Sequence, residues 1–282
     1  MMPVIEKERF RLRHAIIIAI VIICIVSIGI AVYKQFFKDE KIGVIFGISD
    51  EEYDEEYDNL KSNFLNIFDN SFNVIQKYEK DVKKIKADKD LVLEGYSKQE
   101  QNDNYNVNVK IAYFNINSEI VKKFNNDIKN SFKEKASSII SSNEKNIIYN
   151  VKYKAYQNNN ILSLIVLSEL KEGNSNQKIV IKTYNYNLDT GKEITIDELI
   201  EQKGINISSA NSKIKEEIKL SQEENIKLKE LGYNANVREP DSDVYKIQNA
   251  KTFFIGENGY LYIVYAYGND ELTSEMDVVI FR

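Results

Sequence analysis

The chain has 282 residues, a formal net charge of -5, 43% hydrophobic and 29% charged residues, a single histidine, a single cysteine and no tryptophan. That length and apolar content suit one or two folded domains and exclude a disordered chain. The histidine is His14 and the cysteine is Cys24, so nothing beyond Cys24 can build a disulfide, a thiolate or imidazole zinc site, a Cys–His pair or a Ser-His-Asp triad.

Ala15 to Val32 is eighteen residues without a charge. As a helix it measures about 27 Å, close to the ~30 Å hydrocarbon core of a bilayer. Lys7, Arg9, Arg11 and Arg13 precede it, whereas Lys34, Lys38 and Lys41 follow it alongside Asp39 and Glu40. The cationic excess upstream places the N-terminus in the cytoplasm and the chain from about residue 34 outside, with Tyr33, Phe36 and Phe37 suited to the outer interface. Gly29 and Ala31 offer the small residues of a signal-peptidase site. The apolar run nevertheless exceeds the usual h-region, which favours an uncleaved anchor. The tail of residues 1–14 is too short to fold, so function is expected outside the membrane.

Residues 1–41 carry seven basic and four acidic side chains, and the other 241 carry 31 and 39. An acidic exterior disfavours nucleic acid and anionic lipid as partners and tolerates a cationic protein. It also has no cysteine, so its apolar core alone must hold it.

Along the exterior, Ser49 with Glu52 fits a capping box. Tyr53, Tyr57, Leu60, Phe64, Phe68, Phe72 and Ile75 then recur at helical spacing, which predicts one amphipathic helix from about 50 to 80. The acidic run 51–58 lacks the spacing of a calcium loop and reads as a solvated helix face. A strand is expected at 91–98. Tyr105, Val107, Val109, Ile111 and Tyr113 alternate with polar residues as a half-buried strand. Asn117 and Ser118 can cap a second helix whose apolar face is Val121, Phe124, Ile128, Phe132 and Ile139. Strands at about 147–156, 161–170 and 178–188 follow as an antiparallel meander. Beyond the turn at Asp189–Lys192, a short helix begins near Ile196. A longer one runs from Ser208 to Leu231 with Ile214, Ile218, Ile226 and Leu228 inward and Gly232 at its C-terminal end. The chain closes with strands at 252–255, 260–266 and 276–281.

These elements predict an α+β exterior of antiparallel sheets with packed helices, preceded by one N-terminal transmembrane helix. The expected organisation is a cytoplasmic tail (1–14), an anchor (15–33), a juxtamembrane segment with an amphipathic helix (34–89), a first α+β subdomain (90–170) and a C-terminal α+β domain (171–282).

Two stretches carry a resemblance. TYNYNLDTGKEITIDELI (183–200) and FFIGENGYLYIVYAYGNDELTSEMDVVIF (253–281) resemble the opening and the closing hairpin of the C-terminal extracytoplasmic domain of RsiV-like anti-sigma factors. Residues 105–170 are similar, more loosely, to the domain that precedes it. The same pair of domains accompanies the catalytic domain of some peptidoglycan deacetylases. The resemblance implies an exported module that binds an envelope ligand, lysozyme in the sensing relatives, where binding exposes a membrane-proximal site to signal peptidase. Only fourteen residues precede the predicted span, so the cytoplasmic sigma-binding segment of those relatives is not expected here. The last loop of this chain, Tyr265 to Asp270, also lacks the proline of theirs.

No catalytic residue, metal site or cofactor is expected, because an exterior without histidine would have to use Asp, Glu, Lys or Tyr. A carboxylate-dependent envelope glycan hydrolase is the alternative, but no spacing among the carboxylates selects a pair. Asp189, Asp197 and Glu198 read as turn and cap residues. Tyr184, Tyr186, Tyr260, Tyr262, Tyr265 and Tyr267 lie on the strands near the C-terminal motif, where tyrosine supplies rigid amphipathic contact area. The candidate ligand-binding residues are Tyr265, Tyr267, Gly268, Asn269 and Asp270. The expected partners are the membrane, through residues 15–33, and an envelope protein or glycan such as lysozyme.

Overall fold

The computed structural model describes residues 51–68, 90–267 and 275–282. The chain divides into two units, Met1–Glu56 and Tyr57–Arg282, and the architecture that follows is that of the second. The predicted anchor, with Gly29 and Ala31, lies outside the described residues, and so do Gly268, Asn269 and Asp270. Among the described residues no helix is long and apolar enough to cross a membrane.

Helix α1 (Glu51–Ser62) stops well short of the single helix predicted to residue 80, and a 3-10 turn (Phe64–Phe68) follows it. Short polar side chains mark the break. The Asn63 amide donates to Asn59 Oδ1 at 2.5 Å, the Asn66 amide to Asn63 Oδ1 at 2.8 Å, and the Ser62 hydroxyl to the Asn59 carbonyl at 3.2 Å. Such local bonds compete with the regular helix. The tighter winding turns Phe64 and Phe68 into the core.

Six strands form the main sheet in sequential order: β1 (Val92–Gln101), β2 (Tyr105–Phe114), β3 (Ile147–Asn158), β4 (Ile161–Glu172), β5 (Lys178–Asn187) and β6 (Lys192–Glu193). The alternation predicted for β2 holds from Tyr105 through Val107 and Val109 to Ile111, all buried, and then breaks: Ala112 and Phe114 are buried and Tyr113 is half-buried. The pairs are antiparallel except β2 with β3, which run parallel. That departure from a wholly antiparallel sheet follows from the connection. Residues 115–146 carry α2 (Glu119–Ile128), a wide π turn (Lys129–Lys133) and α3 (Glu134–Ser141). A helical crossover of that length returns the chain to the end from which β2 started. Between β3 and β4 the turn is tight, and Asn159 takes φ 51°, a left-handed value that asparagine tolerates better than most residues. In β1 a bulge falls between Glu94 and Tyr96. There the Tyr113 ring lies against Gly95 so closely that a Cβ would sit 1.9 Å from it.

A second, antiparallel sheet has the order β7 (Phe253–Ile255), β8 (Leu261–Tyr267) and β9 (Glu275–Phe281). Helices α4 (Ile196–Gln202) and α5 (Ile207–Glu230) precede it. Side-chain alternation then generates four layers. Leu162, Leu164 and Val166 of β4 face α2 and α3, packing with Phe124, Ile128 and Phe132. Ile165 and Leu167 face the other way, onto Phe254, Tyr262, Val264 and Ile280 of the small sheet and onto Phe64 and Phe68. The outer face of the small sheet, including Leu261, Ile263 and Val279, packs on Leu199 of α4 and Ile214 and Ile218 of α5. Each fully buried aliphatic or aromatic side chain contributes about 1.5–3 kcal/mol, and β4 is buried on both faces, so the two sheets share one interior.

One polar bridge crosses that interior. Ser163 and Asn185 stand opposite one another on β4 and β5. The Ser163 hydroxyl donates to Asn185 Oδ1 at 2.7 Å, and the Asn185 amide donates to the Phe253 carbonyl at 2.8 Å. The Ile255 N–H donates to Ser163 Oγ at 3.3 Å, and the Phe253 N–H to Thr183 Oγ1 at 3.1 Å. These bonds fix β7 across the large sheet and satisfy groups that burial would otherwise leave unpaired.

Helix α5 ends as predicted. Gly232 takes φ 87°, the Tyr233 N–H donates to the Leu228 carbonyl at 2.9 Å, and the Gly232 N–H to the Lys229 carbonyl at 2.9 Å, which together form a Schellman cap. Its inner face differs from expectation. Ile226 and Leu228 are 43% and 41% exposed, and Asn225 is buried instead. The core beneath α5 ends near Ile218, so the apolar residues further along point outward.

Candidate functional site at the roots of the last loop

Two of the predicted ligand-binding residues, Tyr265 and Tyr267, are on β8, where they pair across the strand with Asp277 and Glu275 of β9. The other three fall between β8 and β9, outside the described residues. Both tyrosines are half-buried, and both are engaged.

The organising group is Arg238, delivered by the segment that follows α5. Its Nε donates to Asp277 Oδ2 at 2.9 Å and its Nη2 to Asp277 Oδ1 at 3.2 Å, a two-pronged contact. Its Nη1 donates to Glu275 Oε2 and to the Asn236 carbonyl. The guanidinium carbon lies 4.5 Å from the centre of the Tyr267 ring. Side-chain exposure is 2% for Arg238 and 6% for Asp277, so the pair is almost wholly removed from water. Glu275 is held twice more, by the Asn225 amide at 2.8 Å and the Asn236 N–H at 2.7 Å. Asn225 also donates to the Asn236 carbonyl at 2.9 Å. This explains why an asparagine takes an inward position on α5.

The tyrosines complete the network. The hydroxyls of Tyr267 and Tyr245 are 2.5 Å apart, and the Tyr265 hydroxyl donates to the Tyr245 carbonyl at 3.3 Å. The Tyr245 and Tyr265 rings meet edge to face at 5.0 Å. Burial, above all, raises the Tyr265 and Tyr267 hydroxyls well above the ordinary tyrosine value, and the bond to Tyr245 adds to the rise at Tyr267. Burial alone would lower the arginine. The hydrogen bonds and charges of Asp277 and Glu275 outweigh it and hold Arg238 more firmly protonated than usual.

Chemically this is a fastener. Both carboxylates are committed to one guanidinium, and both phenols stay neutral. The network pins the two strands that launch the loop. Tyr184, Tyr186 and Tyr262 are core residues, and Tyr260 is half-buried. Glu198 accepts from the Thr195 N–H at 2.8 Å while its own N–H donates to Thr195 Oγ1 at 3.3 Å, the reciprocal capping box of α4. Among the described residues no group of three or more His, Cys, Asp or Glu could hold a metal ion.

A concavity of about 410 Å³ lies elsewhere, walled by Asn158, Asn159, Gln202, Lys203 and Arg282 over Ile161 and Leu199. Burial lowers the Lys203 ammonium below the usual lysine value. Its walls come from segments far apart in the chain, so no local pattern in the sequence points to it.

No family model matches the chain, and no curated protein matches it. Its neighbours among solved structures are DUF3298 family proteins. One, from Pseudomonas aeruginosa PAO1, is 12% identical with a TM-score of 0.38, over 66% of this chain and 87% of that one. Another, from Bacteroides fragilis NCTC 9343, is 10% identical with a TM-score of 0.30, over 62% of this chain and 81% of that one. Likeness this slight bears on neither activity nor partners.

Proposed function

We propose that this chain is a membrane-anchored, noncatalytic binding domain displayed outside a bacterial cell, where it recognises a wall-associated ligand, with lysozyme the first to test. Residues 15–33 are the anchor, the N-terminus is cytoplasmic, and Gly29 to Ala31 is a candidate signal-peptidase site. The observation that carries the reading is the uncharged Ala15–Val32 run behind a cationic N-terminus, followed by an exterior without histidine or cysteine. The resemblance of 183–200 and 253–281 to RsiV-like ectodomains supports an envelope ligand. The excess of acidic residues beyond residue 41 suits a cationic protein such as lysozyme. The engagement of Glu275 and Asp277 by Arg238 leaves that pair of carboxylates without the free acid and base that glycan hydrolysis requires. Membrane vesicles carrying the full chain are expected to retain lysozyme at physiological salt. Equal retention by vesicles without the chain would remove the lysozyme reading.

A further inference from the structure

Past Ile218 the outer face of α5 bears Leu220, Glu224 and Lys227, and Leu231, the residue that caps the helix, continues the row, at spacings of four, three and four. At about 100° per residue these four fall within about 60° of arc. That stripe is centred about 130° of arc from the buried face defined by Ile214, Ile218 and Asn225. Leu220 and Leu231 are 59% and 74% exposed, and Glu224 and Lys227 are exposed with no ion-pair partner among the described residues. Two leucines bracketing one acid and one base make a heptad seam, and the exposure of all four leaves it uncovered among the described residues.

The seam is self-complementary in one orientation only. Laid antiparallel about a two-fold axis midway between Glu224 and Lys227, Leu220 meets the partner's Leu231 and Glu224 meets the partner's Lys227, and each contact occurs twice. Laid parallel and in register, it would set glutamate against glutamate and lysine against lysine. We propose that the C-terminal half of α5 is a homodimer interface, paired antiparallel with α5 of a second copy of this chain. The contact spans about three helical turns and is far below the area of an obligate interface, so the dimer is weak and concentration-dependent. Closing α5 with a Schellman cap at Gly232 keeps the exposed half helical without a core beneath it.

The test is sedimentation of the full chain in density-matched detergent micelles from about 10 to about 500 µM, for the parent and three variants: Glu224→Lys, Lys227→Glu and both together. The parent is expected to move from one chain to two across the range. Each single reversal places like charges at both symmetry-related contacts and is expected to weaken dimerisation by about tenfold or more, whereas the double exchange restores it to near the parent. All four residues are solvent-exposed, so circular dichroism should be unchanged throughout. A single-chain mass at every concentration overturns the proposal, as does a dimer that survives both single reversals.

Discussion

The guanidinium of Arg238 lies 4.5 Å from the centre of the Tyr267 ring, and that contact decides what Tyr267 does. A tyrosine under a buried cation, with its hydroxyl spent on Tyr245, is a support for the loop beyond it. Both rings are half-buried and both hydroxyls are engaged within the fold, so Tyr265 and Tyr267 help to hold the strands in place.

Replacing Arg238 by methionine keeps most of the aliphatic stem and removes the charge. It leaves the buried Asp277 beside the half-buried Glu275 without the cation that they share. Loss of one partner from a buried ion pair costs about 3–5 kcal/mol, so a fall of that size in the urea unfolding free energy is expected. A change under about 1 kcal/mol, the size of a surface pair, would show that water reaches the cluster.

Asn185 joins the sheets through a different chemistry. Asn185→Ala strands the Ser163 hydroxyl and the Phe253 carbonyl in the interior, and about 1–3 kcal/mol should be lost. Ser163→Ala on the same background should cost less than it does alone, because the two groups share one bridge. Simple additivity of the two losses in thermal or urea unfolding would contradict the bridge.

Much of this architecture is legible in residue order, and the failures have physical causes. The β2 alternation as far as Ile111, the cap role of Glu198 and the Gly232 cap are local patterns, and each is realised. The helix predicted to residue 80 stops at Ser62 because Asn59 and Asn63 bond locally where a count of apolar residues sees only spacing. Ile226 and Leu228 continue the periodicity of α5 after its core has ended, so the pattern alone assigns them inward. The parallel β2–β3 pair depends on where the crossover sets the chain down, which no strand records. Arg238 is least legible of all: its partners Glu275 and Asp277 are nearly forty positions away, and a lone arginine in a polar loop reads as solvated.

Alkaline pH offers a separate check. Tyr149, Tyr156, Tyr184, Tyr265 and Tyr267 are all raised above the ordinary tyrosine value, in each case chiefly by burial. The unfolded chain ionises near pH 10, whereas the folded one resists. Their contribution to stability is therefore complete below about pH 10 and is lost as the pH climbs towards the folded values. Phenolate absorbance and far-ultraviolet ellipticity, followed together, should show these groups ionising in step with unfolding. Complete ionisation of every tyrosine with ellipticity intact would contradict their burial.

The central claim is recognition of an envelope ligand, and calorimetric titration of lysozyme into the full chain in detergent micelles, at low and at high salt, tests it most directly. Stoichiometric binding that persists at high salt is the predicted result, since a shaped interface survives screening whereas attraction between an acidic exterior and a basic protein does not. No heat, or heat abolished by salt, would contradict recognition of lysozyme.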